Sequence, residues 1–204
     1  HRKGYQIPEA GRTARGTAMV NILPLEPGES VTAVVVTREF HENEFLVMVT
    51  KKGTVKRLPF ISLSTRRRTG IRAITLDEGD HLINVMRTNG DDNILIATRD
   101  GMAVCFDEND VRPMGREAVG VRGIRLREGD YCVGAALAEP GTQLLSVTEN
   151  GYGKLSEFDE FRLMKNRGGK GVTAHKISDK TGKRSDKKAI LPSQPCNDCS
   201  NDII

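Results

Sequence analysis

The run Lys165-Asn166-Arg167-Gly168-Gly169-Lys170-Gly171-Val172 places glycines among lysine and arginine. Glycine removes side-chain bulk and admits positive φ, so the main chain can come close to a partner. The cations and the freed N–H groups suit an anion, most simply a phosphate. A solvated basic turn has the same composition, so the run alone decides nothing. Its recurrence does.

Three earlier glycines stand in similar surroundings: Gly16 in R-T-A-R-G-T, Gly70 in R-R-R-T-G-I and Gly120 in G-R-E-A-V-G-V. From Gly16 to Gly171 the steps are 54, 50 and 51 residues. An acidic turn recurs at Glu26-Pro27-Gly28-Glu29, Glu78-Gly79-Asp80 and Glu128-Gly129-Asp130, with steps of 51 and 50. A turn with glycine second recurs at Lys52-Gly53, Asp100-Gly101 and Asn150-Gly151, with steps of 48 and 50. Three markers with one period define an array of units of roughly 50 residues.

Within the unit from Gly70 to Phe106, residues 71–76 alternate apolar and polar, the period of a strand. Further strands are expected over 81–86, 93–98 and 102–106, with turn residues between them. The third unit repeats the pattern over 121–126, 131–137, 143–148 and 152–155. The first has 18–23, 31–37, 45–50 and 54–58. Residues 157–164 have room for one or two helical turns. Four short strands per unit point to an all-β, propeller-like array of four-stranded blades. A single such sheet cannot cover its own apolar face, so the units must stack. Two stacked sandwiches are the other all-β solution, which a regular period disfavours. The absence of tryptophan argues against WD40 repeats.

The formal net charge is only +4, but its distribution is uneven. Acidic residues mark the recurring turns, and cations gather around the anchor glycines. Arg12 and Arg15 precede the first; Arg66, Arg67 and Arg68 precede the second. Arg112, Arg116 and Arg122 flank the third. The fourth has Lys165, Arg167 and Lys170, with Gly168, Gly169 and Gly171 between them. Equivalent loops of stacked blades lie along one rim, so these cations form a curved positive track. Such a track meets phosphates and releases counterions. Only 4% of residues are aromatic, which disfavours a stacking platform for single strands. Duplex DNA held by its backbone, with little base readout, fits better.

Catalytic patterns are absent from the sequence: no nucleophile stands beside a base, and there is no Walker loop or H-E-x-x-H. Carboxylates that recur in every unit fit a turn requirement better than an active site. Cys105 and Cys132 fall in expected strands. Cys196 and Cys199 have zinc-knuckle spacing without a second pair. No metal or cofactor is expected in this stretch. No apolar run is long enough to span a bilayer and no signal peptide opens the chain, so the expectation is a cytoplasmic protein away from membranes.

Tyr5-Gln6-Ile7-Pro8-Glu9-Ala10, Ala14-Arg15-Gly16 and Asn21-Ile22-Leu23-Pro24-Leu25-Glu26 resemble the C-terminal domain of the A chain of bacterial DNA gyrase. So do residues 50–56 (T-K-K-G-T-V-K), 111–115 (V-R-P-M-G), 120–125 (G-V-R-G-I-R) and 148–154 (T-E-N-G-Y-G-K). The resemblance runs from about residue 4 to 182. It implies a β-pinwheel, a propeller relative whose neighbouring blades exchange a strand and which wraps duplex DNA around a basic rim. The implied partners are duplex DNA, the remainder of gyrase A, and gyrase B, in a heterotetramer. The implied holoenzyme, a type II topoisomerase, uses ATP and magnesium to introduce negative supercoils. Residues 167–171 are similar to the last five positions of the family's box, Q-R-R-G-G-K-G; Lys165 and Asn166 replace the first two. The chain supplies three blades and part of a fourth, and 183–204 reads as a divergent tail, a candidate for disorder. The corresponding domain of topoisomerase IV and a propeller-type protein-interaction module are the alternatives.

Overall fold

The computed structural model describes residues 4–65, 70–182 and 191–193. Its strands, in chain order, are β1 (Phe45–Thr50), β2 (Thr54–Pro59), β3 (Leu82–Thr88) and β4 (Asn93–Thr98). β5 (Met102–Asp107), β6 (Val121–Arg122), β7 (Cys132–Leu137) and β8 (Gln143–Val147) follow. β9 (Gly153–Glu157), β10 (Leu163–Met164), β11 (Val172–Thr173) and β12 (Leu191–Ser193) complete the set.

Three sheets are each built on a hairpin: β1–β2, β4–β5 and β8–β9. The threonine before each turn fixes it. Thr50, Thr98 and Thr148 accept through Oγ1 from the amides of Thr54, Met102 and Tyr152 at 3.1, 3.3 and 3.2 Å. The recurring aspartate then caps the turn from the adjoining strand. Asp80 Oδ1 accepts from the amides of Lys52 (2.9 Å) and His81 (2.8 Å). Asp130 does the same for Asp100 (3.0 Å) and Tyr131 (2.8 Å). The repeated carboxylate is therefore turn architecture.

A later strand of the chain pairs with the first strand of each hairpin: β3 with β1, β7 with β4, and β12 with β8. The second hairpin strand is covered from the unit downstream: β2 by β6, β5 by β10 and β11. A blade is therefore not the contiguous stretch Gly70–Phe106 expected from the sequence. β3 belongs to the first sheet, and β4–β5 to the second. The third sheet has three strands among the described residues, one of them inside the stretch read as a tail.

Other expectations are corrected too. Residues 71–76 and 31–37 form no strand, and Met19–Ile22, expected in a strand, makes one turn of α-helix. Of 121–126 only two residues join a ladder. Alternation reports which face is apolar, but a strand also needs a partner edge. Among the described residues no hairpin lies across 16–23 or 70–76. One 3₁₀ turn, Phe158–Glu160, occupies the expected helical stretch 157–164.

The second sheet is buried on both faces, which explains its continuous apolar strands. Ile94, Ile96, Val104 and Phe106 pack with Val47, Val49 and Val55 of the first sheet. Leu95, Ala97, Ala103 and Cys105 pack with Leu144, Phe158 and Phe161 on the other side. Burial raises the thiol pKa of Cys105 to about 11 and that of Cys132 to about 12. One corner carries charge inside. Glu108, fully buried, meets Arg57 Nε at 3.0 Å and accepts from Thr88 Oγ1 (2.6 Å) and the Gly90 and Asp92 amides (2.8 and 3.0 Å).

Candidate nucleic-acid interface

Each downstream segment reaches its blade by crossing the hairpin closely. A Cβ on Gly171, at φ +75°, would lie 2.2 Å from the Ala103 carbonyl oxygen. A Cβ on Gly120, φ +120°, would lie 2.8 Å from that of Val55. Only glycine fits at these two crossings; Gly16 and Gly70 share the positive φ, but a Cβ there would meet nothing within 4 Å. Beyond the crossing, Gly123 N donates to Gly53 O at 2.8 Å, and Ala174 N to Gly101 O at 2.8 Å. The cation-bearing loops stand immediately before these crossings.

Successive loops touch through one repeated contact. Thr75 N donates to Ala118 O at 3.3 Å, and Arg125 N donates to Gly169 O at 2.8 Å. Both members are shifted by one repeat, 50 residues for the donors and 51 for the acceptors. Thr75 Oγ1 also donates to Glu117 O (2.9 Å), and Gly168 N to Gly123 O (2.8 Å). Loops 70–76, 112–125 and 165–171 therefore follow one another along a single edge of the stack.

On that edge Arg112, Arg116, Arg122, Lys165 and Lys170 are exposed. Among the described residues none of them forms an ion pair with a carboxylate. Arg167 differs. It is half-buried, and its Nε donates to Asp110 O (3.0 Å) and an Nη to Arg122 O (2.8 Å). Much of its donor capacity holds the loop together. Burial raises the Asp110 carboxyl pKa, Asp107 adds to that, and the Arg167 charge opposes both. Gly168, Gly169 and Gly171 let this loop lie flat against Arg122–Arg125 and β5.

Arg12 and Arg15 are exposed in a segment that no described hydrogen bond or ion pair joins to these loops. Arg66, Arg67 and Arg68 lie outside the described residues. Three cations of the edge escaped the sequence reading. Arg72 is exposed 4.0 Å from Glu117. Arg125 is exposed beside Gly169. Lys56 lies beneath the loops, with Nζ 2.8, 2.7 and 2.8 Å from the carbonyl oxygens of Ala73, Arg116 and Ala118. Burial pushes its pKa down, and nearby Glu117 partly offsets this.

Stacked, strand-exchanging blades with a cation-bearing edge define a propeller-type repeat protein. The family described as the DNA gyrase C-terminal domain, beta-propeller, matches at residues 3–38, 44–89, 92–139 and 142–185. The two middle segments, 44–89 and 92–139, each start at a hairpin and end just after β3 and β7, as the first two sheets do. The chain is 48% identical over 181 residues to DNA gyrase A of Clostridium acetobutylicum, covering 89% of this chain and 22% of that protein. It is 42% identical over 180 residues to DNA gyrase A of Salmonella typhimurium, covering 88% and 20%. The chain thus spans about a fifth of the curated relatives it matches. Among solved structures, the C-terminal domain of DNA topoisomerase IV superposes with a TM-score of 0.79 at 26% identity, over 88% of this chain and 55% of that one. The DNA gyrase A C-terminal domain superposes with 0.74 at 25%, over 84% and 57%. The chain belongs to the DNA gyrase A C-terminal domain family.

Proposed function

We propose that this chain grips duplex DNA along the edge formed by loops 70–76, 112–125 and 165–171, and bends it without reading its sequence. The observation that supports this most is the repeated loop-to-loop contact, which lines up the exposed Arg112, Arg116, Arg122, Lys165 and Lys170, none with an acidic partner among the described residues. Backbone contacts of this kind give affinity with little base discrimination, and a curved track favours deformable duplex. In this reading the chain contributes grip, holding no cofactor of its own, while ATP, magnesium and strand passage belong to the rest of gyrase A and to gyrase B. The work is cytoplasmic negative supercoiling. Among the described residues no helix is long and apolar enough to cross a membrane.

The test is titration of a random-sequence duplex across a salt series. Arg112→Ala/Arg116→Ala/Arg122→Ala should weaken binding to all sequences alike. If each arginine meets one phosphate, the slope of log K against log salt flattens by about 2.7. A wild-type slope near zero, or a variant slope unchanged from wild type, overturns the reading. A second reading, the corresponding domain of topoisomerase IV, has the fold likeness behind it. The sequence identities to DNA gyrase A weigh against it.

A further inference from the structure

We infer that Lys56 is a positioning residue: its buried ammonium clasps two successive basic loops by their main-chain carbonyls and sets their spacing. Its meaning for DNA rests on the function proposed above; the clasp itself does not.

Lys56 sits on β2 with no exposed surface. An ammonium has three N–H donors, and all three are used: one on Ala73 of loop 70–76, two on Arg116 and Ala118 of loop 112–125. Among the described residues no carboxylate lies within ion-pair distance. The one acid that acts on it, Glu117, instead sits 4.0 Å from Arg72 at the surface. A buried charge without a counter-ion is costly and is kept only where hydrogen bonds compensate it. The fold does not require this charge. The equivalent position one blade on is Val104, buried in the apolar core.

The two loops solve one problem by opposite means. Above Val104 nothing beneath can donate, and Arg167 turns inward to hold Asp110 and Arg122. Above Lys56 the carbonyls are already held from below. Arg116, which is Arg167's counterpart one repeat earlier, stays exposed and, among the described residues, forms no ion pair. Lys56 thereby frees a surface arginine for a partner.

The experiment compares Lys56→Met and Lys56→Arg with wild type, using amide hydrogen exchange and the salt titration. Lys56→Met removes the donors; Lys56→Arg keeps the charge, but a planar guanidinium cannot meet three carbonyls arranged around an ammonium. In both, exchange at Thr75 and Ala118 should quicken tenfold or more while Leu95 in the core stays protected. The salt slope should flatten as it does in Arg112→Ala/Arg116→Ala, about 1.8 for two contacts. Those two substitutions should then change little further in the Lys56→Met background. Loop exchange at the wild-type rate in Lys56→Arg overturns the clasp, even if Lys56→Met fails to fold. Quickened loops with an unchanged slope overturn its role toward DNA. A flat wild-type slope refutes the proposed function instead, and loop exchange still decides the clasp.

Discussion

Replacing Gly171 by alanine should uncouple the second blade from the strand it borrows. Two costs add. Alanine at φ +75° carries the left-handed penalty of about 1–2 kcal/mol. The new Cβ would also stand 2.2 Å from the Ala103 carbonyl oxygen and 2.7 Å from its carbon. Carbon atoms in comfortable contact are about 3.5 Å apart, so the segment must withdraw by roughly 1 Å. Withdrawal stretches the bonds from the Ala174 and His175 amides to Gly101 O, now 2.8 and 3.2 Å. At about 1 kcal/mol each they add about 2 kcal/mol, giving about 3–4 kcal/mol in all. Gly129→Ala is the control. It has a similar φ, +74°, but nothing within 4 Å of its Cβ, so it should cost about 1–2 kcal/mol. Urea denaturation followed by far-UV circular dichroism measures both. If the two variants unfold within about 1 kcal/mol of each other, the close crossing is not what the glycine is for.

Other perturbations probe the interior. Glu108→Ala takes the buried carboxylate from the Arg57 guanidinium and from two half-buried amides, and should cost about 3–5 kcal/mol in the same urea experiment. A loss no larger than that of an ordinary surface substitution would show the pair to be dispensable. Asp92 has its pKa raised, first by burial and then by Glu108 and Asp91, while its bond from the Asn89 amide opposes the shift. The folded state therefore disfavours its charge. Asp92→Asn, which keeps an acceptor for Asn89, should raise Tm at neutral pH. That gain should fade as pH falls through the raised folded value toward 3.8; a gain that persists in acid refutes the assignment. In a Cys196→Ser/Cys199→Ser background, Cys105 and Cys132 should resist a thiol reagent at about pH 8 until denaturant is added. Prompt labelling of either would contradict their burial.

The hairpins were the legible part. Expected strands at 45–50 and 93–98 coincide with β1 and β4, because a threonine–glycine turn and a doubly buried apolar run are local signals. The distribution of strands among sheets was not local. β3 looks like a partner for β4, which follows it, yet it joins β1, which precedes it. The resemblance implied strand exchange, but spacing alone could not reveal it. At the edge, Arg112, Arg116 and Arg122 stood where a repeat places them. Lys56 read as one more cation in K-G-T-V-K-R, since the carbonyls that bury it arrive from Ala73, Arg116 and Ala118. Arg167 read as a phosphate ligand, and its inward bonds depend on Asp110 and Arg122.

Borrowed strands also impose a timetable on synthesis. The β1–β2 hairpin ends at Pro59, and the strand that latches onto β2 begins at Val121. At roughly 5–20 residues per second, a nascent chain carries that bare edge for on the order of 3–12 s. The β4–β5 hairpin, which ends at Asp107, waits in the same way for the strand that begins at Leu163. On the ribosome this chain closes like a zipper whose slider trails one tooth behind, and a stall between Pro59 and Val121 leaves a strand edge open to any neighbour.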